Sequence, residues 1–221
     1  NAPFQTSATA AEVMGDDFLM APVITKLDNS GQLQWKTFFC HHRTSISNID
    51  VVNNQLVIAG RMTKNPYYEM TNPTYFSTPG ALLENVGNLT GSKNFVNVFN
   101  EDGTRAWGTY LSTSFTHGLR TFGNAIYVLH QGNGLTATEG AYFGTPKTNV
   151  LTKLSNTGTR LWSNYIDEKI FNLDLSGDVV LFGTTQETTG IVTADAYQTT
   201  KNPTNNGFGI NLDGYHQILS Q

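Results

Sequence analysis

Three groups of residues have types and spacing that could do chemistry. The first is acidic and basic. Asp50 and Asp174 occupy matching repeat positions before the turns Asn53-Asn54 and Ser176-Gly177-Asp178, and Arg120 takes the equivalent place before Gly123-Asn124. Two carboxylates flanking a bond are the equipment of glycoside hydrolysis, and Asp167-Glu168 and Asp195 add further acids. Recurrence at matching positions argues for a shared structural role or a polar channel lining more than for a unique acid–base pair. No catalytic residue is therefore assigned, and Asp50, Arg120 and Asp174 are expected to form a polar ligand-binding site. The second group is aromatic. Tyr67, Tyr68 and Tyr75 sit with Pro66, Pro73 and Phe76 in the one irregular insertion, residues 64–77. Exposed Tyr in a scaffolded loop is a frequent contact residue, and a covering role for a sheet edge is the competing reading.

The third group is Cys40-His41-His42. Neighbouring side chains on a strand point to opposite faces, so one ion does not easily take both histidines. No second Cys/His cluster completes a zinc set, and no metal or cofactor is expected. The turns Asp28 to Gly31, Asn100 to Gly103 and Leu212-Asp213-Gly214 are rich in oxygen. They lack the spaced ligands and distal Glu of a calcium loop, so they read as hairpin turns. Trp35, Trp107 and Trp162 recur at one position of a repeat, which favours packing between repeats over a sugar-stacking platform. No nucleophile elbow, P-loop or dinucleotide fingerprint is present.

The elements that must position these residues are strands. Residues 152–162 (TKLSNTGTRLW) have counterparts at 25–35 (TKLDNSGQLQW), 97–107 (NVFNEDGTRAW) and 208–218 (FGINLDGYHQI). Each is an apolar run, a polar turn ending in Gly, and a strand-like segment closing on Trp or Ile. The turn glycines Gly31, Gly103, Gly158 and Gly214 follow at intervals of 72, 55 and 56 residues, the first lengthened by the 64–77 insertion. Leu33, Trp35, Thr37 and Phe39 alternate with polar or outward positions, which is strand periodicity, while Leu56 to Ala59 is a short apolar run suited to a strand buried on both faces. No stretch carries helical spacing.

Composition agrees. Only 14% of the 221 residues are charged, with 21 Gly and 9 Tyr, a balance that favours turns and aromatic strands over charged helical faces. A formal charge of −4 without a basic cluster argues against non-specific nucleic-acid binding. The single Cys40 excludes an internal disulfide, and no apolar run reaches the roughly 20 residues of a membrane helix.

Repeats of roughly 40–50 residues with four strands each are the mark of β-propeller blades. The expected fold is all-β: a propeller of four-stranded antiparallel blades with about three and a half blades present. As one segment, 1–221 divides into repeat units near 1–72, 73–135, 136–188 and a partial 189–221. By strand phase the blades run 46–111, 117–166 and 170–219, with 18–39 as the outer two strands of another. This phase suggests a piece of a longer chain, or completion by another subunit.

The pieces, in order, are Asn94-Phe95-Val96-Asn97-Val98-Phe99, Trp107-Gly108-Thr109-Tyr110-Leu111, Gly123-Asn124-Ala125-Ile126-Tyr127-Val128 and Thr138-Glu139-Gly140-Ala141. This order resembles the bacterial β-propeller repeat family of secreted and cell-surface proteins (SBBP-type repeats). The T-x-G-A-like element recurs at Thr78-Pro79-Gly80-Ala81 and, altered, at Thr193-Ala194-Asp195-Ala196. Ile218 stands where the other units have Trp, and Ser163-Asn164-Tyr165-Ile166 departs from the W-x-T-Y-L tail. The resemblance implies export and surface display but no reaction, since propellers host unrelated roles. The expected function is a non-enzymatic extracellular or cell-surface scaffold that binds a protein or glycan partner. The alternative is a propeller-fold carbohydrate-active enzyme, a glycosidase or lyase, using channel-facing acids.

Overall fold

The computed structural model describes residues 22–39, 43–63, 72–85, 92–112, 115–131, 134–141, 146–185, 192–198 and 213–219, with the backbone alone for 184–185 and 213–219. Every regular element among them is a strand. The chain divides into two compact units, Asn1–Ile166 and Asp167–Gln221.

The first unit holds three antiparallel sheets. β1 (Val23–Leu27) and β2 (Leu33–Phe38) form a two-stranded sheet. β3 (Arg43–Val52), β4 (Gln55–Thr63), β5 (Ser92–Phe99) and β6 (Arg105–Tyr110) form a four-stranded sheet in chain order. β7 (Thr116–Phe122), β8 (Ala125–Gln131), β9 (Asn149–Ser155) and β10 (Arg160–Ile166) form another in the same order. The phase read from the repeat therefore matches the sheets: two four-stranded sheets preceded by a lone hairpin.

One turn type closes every outer hairpin. Asp28, Asn100 and Ser155 open five-residue turns whose first N–H donates to the fifth carbonyl at 2.9, 2.8 and 2.8 Å. The fourth residue is Gly31, Gly103 or Gly158 with φ of 79, 84 and 88°, a left-handed conformation that only Gly adopts without a steric cost. Register shifts at Lys26/Leu27, Val98/Phe99 and Arg160/Trp162 accompany these turns, as expected for hairpins whose loop ends in a glycine bulge. The β3–β4 connection is tighter. Asn53 and Asn54, at φ 48 and 61°, make a two-residue turn.

The T-x-G-A elements are turns as well. Ala81 and Ala141 N–H donate to the Thr78 and Thr138 carbonyls at 3.1 Å, with Gly80 and Gly140 at φ 79 and 75°. Positive φ at the third position marks a type II turn, and Pro79 has the φ its second position needs. Thr78 and Thr138 then bond the outermost strand of their own sheet, donating N–H to the Gly108 and Ser163 carbonyls at 3.0 and 2.9 Å. The crossing from the second to the third strand of each sheet is pinned in this way.

The core lies between sheets. On β5, Phe95 and Phe99 face the β1-β2 sheet, where Ile24, Phe39, Ile58, Met62, Phe76 and Tyr110 complete a layer. Val96 and Val98 face the β7–β10 sheet, against Val52, Val57, Leu119, Ile126, Val128 and Leu154. Strict alternation along β4 and β5 thus serves two cores at once, which explains the continuous apolar run at Leu56 to Ala59. On β3, Ile49 and Val51 share the opposite, exposed face.

In the second unit, β11 (Ile170–Leu173), β12 (Val179–Thr185) and β13 (Asp213–Leu219) pair in that order. Here one expectation fails. Asp213 and Gly214 do not form a turn; they lie inside β13, opposite Thr185 and Thr184. The expected hairpin partner, from Phe208, includes Gly209, which weakens a strand, whereas Tyr215, Ile218 and Leu219 favour one and lie in the strand beside β12. Residues 199–212 lie outside the described set.

Candidate functional site

Asp50 and Arg120 are brought together on adjacent first strands. One carboxylate oxygen of Asp50 accepts the Thr121 N–H at 2.8 Å, and the other accepts the N–H of its own neighbour Val51 at 2.8 Å. Thr121 Oγ1 returns a bond to the Val51 carbonyl at 2.7 Å, and Asn53 Nδ2 donates to Asn124 Oδ1 at 2.8 Å. Asp50 thereby clips β3 to β7 at the residue beside Arg120. Arg120 is exposed, and its Nη1 donates to the Leu119 carbonyl at 2.8 Å.

Asp174 belongs to the second unit and is not on a strand. It opens the turn Asp174–Asp178 as Asp28 opens Asp28–Gln32, with Oδ1 accepting the Ser176 and Asp178 N–H groups at 2.8 and 2.9 Å. The Ser176 hydroxyl, donating at 2.9 Å, is the main cause that holds the Asp174 carboxyl below its usual pKa, with the turn's N–H groups adding to it. The expected match between Asp174 and Asp50 is corrected here, since Asp50 lies on β3 and Asp174 follows the end of β11. A five-residue turn replaces the two-residue one at this point of the sheet, so equal spacing to the glycine lands in the loop.

Tyr75 is half-buried among Phe39, at 6.1 Å between ring centroids, and Phe76, at 4.7 Å. Its carbonyl accepts Arg105 Nη1 at 2.5 Å. Tyr67, Tyr68 and the Cys40-His41-His42 run lie outside the described residues. Among the described residues no group of three or more His, Cys, Asp or Glu gathers as a metal site, and no helix is long and apolar enough to cross a membrane.

Two further arrangements stand out, the first not foreseen from sequence and the second foreseen only as packing of tryptophan between repeats. The first is a buried polar chain spanning the two four-stranded sheets. Asn94 Nδ2 donates to Ser112 Oγ at 3.1 Å, and Ser112 Oγ donates to the Gln131 carbonyl at 2.9 Å. The remaining lone pair of Ser112 faces His130 Nδ1 at 3.0 Å, so Nδ1 carries the proton. Nε2 then accepts from Thr152 Oγ1 at 3.0 Å, which accepts from Ser163 Oγ at 3.0 Å. Burial, helped by nearby His117, lowers the His130 pKa to about 3. A neutral imidazole beside a serine has the outline of a nucleophile–base pair. Ser112 and His130 are, however, 1% and 0% exposed, so no substrate reaches them. The chain is a brace. Its sequence signal is His130 itself, a lone imidazole inside the apolar run of β8.

The second is a repeated joint. Trp35 Nε1 donates to the Glu101 carbonyl at 2.8 Å, and the indole covers Gly103 so closely that a Cβ there would lie 2.9 Å from Cδ2. Trp107 Nε1 donates to the Asn156 carbonyl at 2.7 Å, and a Cβ on Gly158 would lie 3.0 Å from its ring. In both cases the outer strand of one sheet sends an indole onto the outer turn of the next. Lys26 reinforces the first joint, 3.4 Å from Glu101 Oε1.

Comparison with protein-family models and with curated protein sequences finds no match to this chain.

Proposed function

We propose that this chain is a segment of a β-propeller that acts as a non-enzymatic display or binding scaffold outside the cell or on a bacterial cell surface. Its blades are the four-stranded sheets, its inner strands are β3 and β7, and its partner is a protein or glycan. The observation that carries the reading is the repeated indole-on-turn joint, which orders successive sheets side by side with a fixed offset. Neighbouring blades of a propeller need such an offset, and closure or repetition of this kind shields sheet edges. The family resemblance and the Thr, Asn and Gly-rich surface support export.

The carboxylate best placed for catalysis, Asp50, has both oxygens committed to backbone N–H groups. That favours a positioning role over acid–base work. The test is Asp50→Asn, with thermal melting and release of reducing ends from a panel of polysaccharides measured side by side. A scaffold predicts no release from either protein and at most a small loss in melting temperature. Polysaccharide cleavage by the wild type that Asp50→Asn abolishes without unfolding would replace the scaffold with a glycosidase or lyase.

A further inference from the structure

The first unit contains three outer turns of one geometry and three tryptophans at one strand position, but the joint that links them is offset by one. Trp35 covers the second turn and Trp107 the third. One turn and one tryptophan remain. The turn is Asp28–Gln32, with the same backbone closure as its covered counterparts and Gly31 at φ 79°. No described atom lies within 4 Å of a Cβ built on Gly31, the space that an indole fills over Gly103 and Gly158. The remaining tryptophan is Trp162, whose ring meets Tyr127 edge-on at 6.1 Å and whose N–H makes no hydrogen bond among the described residues.

We propose that these two halves recognise each other between molecules: Trp162 of one copy docks on the Asp28–Gln32 turn of a second, its N–H donating to the Asn29 carbonyl. The occupant follows from continuity with the two internal joints, in which the residues equivalent to Asn29 are Glu101 and Asn156. In the second unit Ile218, which has no N–H donor in its side chain, stands at the tryptophan position, and Gly214 is paired with Thr184 inside β13. Its turn Asp174–Asp178 shares the closure, with Gly177 at φ 88°, but joins the first two strands of its sheet instead of an outer pair. Because donor and acceptor lie on opposite edges of the unit, the contact is head-to-tail. It propagates into rings or open chains instead of stopping at a symmetric dimer. The proposal extends the scaffold reading but stands without it, since it concerns assembly and not ligand.

The test is sedimentation velocity of the full chain over a concentration series, with two variants. Gly31→Asn keeps a residue that tolerates left-handed geometry while its Cβ fills the indole's place. Trp162→Phe keeps an aromatic ring and removes the N–H. Wild type is expected to form concentration-dependent oligomers beyond the dimer, and each variant to weaken association at least tenfold with an unchanged circular dichroism spectrum. A mixture of the two variants should stop at the dimer, because Gly31→Asn still donates and Trp162→Phe still accepts. Monomeric wild type throughout, or association that neither variant weakens, would overturn the proposal. Neither result would bear on whether the protein binds a glycan or cleaves one.

Discussion

Between the β1-β2 sheet and its neighbour the filling is aromatic, whereas between the two four-stranded sheets it is aliphatic and crossed by a polar brace. Phe76 and Phe95 stack at 4.1 Å with planes 2° apart, and Phe39 meets Phe95 and Phe99 edge-on at 5.7 and 5.2 Å. A two-stranded sheet offers few side chains to its layer, so each must fill more volume, and rings borrowed from the 72–77 segment complete the job. The Tyr110 hydroxyl is drawn into this layer, where it accepts the Phe76 N–H at 3.3 Å and burial pushes its pKa up to about 12. Where two full sheets meet, Val, Leu and Ala suffice and room remains for the Asn94–Ser112–His130–Thr152–Ser163 chain. The same indole joint closes both layers, so the joint does not depend on what fills the space behind it.

Adjacent residues of β5 give the sharpest contrast. Phe95→Ala empties the aromatic layer and is expected to cost about 3–5 kcal/mol, while Val96→Ala, facing the aliphatic layer, should cost about 2 kcal/mol. Urea unfolding of the two variants measures the difference, and equal losses would show that the layers are packed alike.

The polar brace makes the second layer pH-sensitive. His130 binds a proton less readily folded than unfolded, so the unfolded chain takes up more protons below the ordinary histidine pKa of roughly 6.5. Stability from this group is complete above that pH and is lost as pH falls toward the folded value of about 3. The loss approaches about 1.4 kcal/mol per pH unit within that window, on the order of 5 kcal/mol in all as an upper limit. His130→Gln should flatten this dependence in melts taken between pH 7 and 4. An unchanged slope would place the acid-labile group elsewhere.

The strand phase, the outer hairpins of the first unit and their turn chemistry were legible in the sequence because they are local: period-two alternation, an Asp, Asn or Ser opening the turn, and a glycine closing it. The recurrence of tryptophan also pointed to packing between repeats. Its target did not show, because the Glu101 and Asn156 carbonyls carry no side-chain signature and lie 66 and 49 residues away from their indoles. Asp174 was misplaced because distance to a glycine does not distinguish a two-residue from a five-residue turn. The brace was hidden since Ser112, Thr152 and Ser163 resemble ordinary surface hydroxyls until the sheets are side by side.

A smaller effect separates the covered turns from the uncovered one. Gly31→Ala and Gly103→Ala both force alanine into left-handed geometry, at about 1–2 kcal/mol. Only the Gly103 change also displaces Trp35, breaking a hydrogen bond of about 1 kcal/mol. Thermal melts should therefore rank Gly103→Ala as the more damaging, and the reverse order would mean the indole does not rest on that glycine.

The joint itself is the central claim, and the three indole N–H signals of one proton–nitrogen spectrum test it most directly. Recorded at a concentration where the chain is monomeric, hydrogen exchange should be slow at Trp35 and Trp107, which donate to the next sheet's turn, and fast at Trp162. Equal exchange at all three tryptophans would contradict the account.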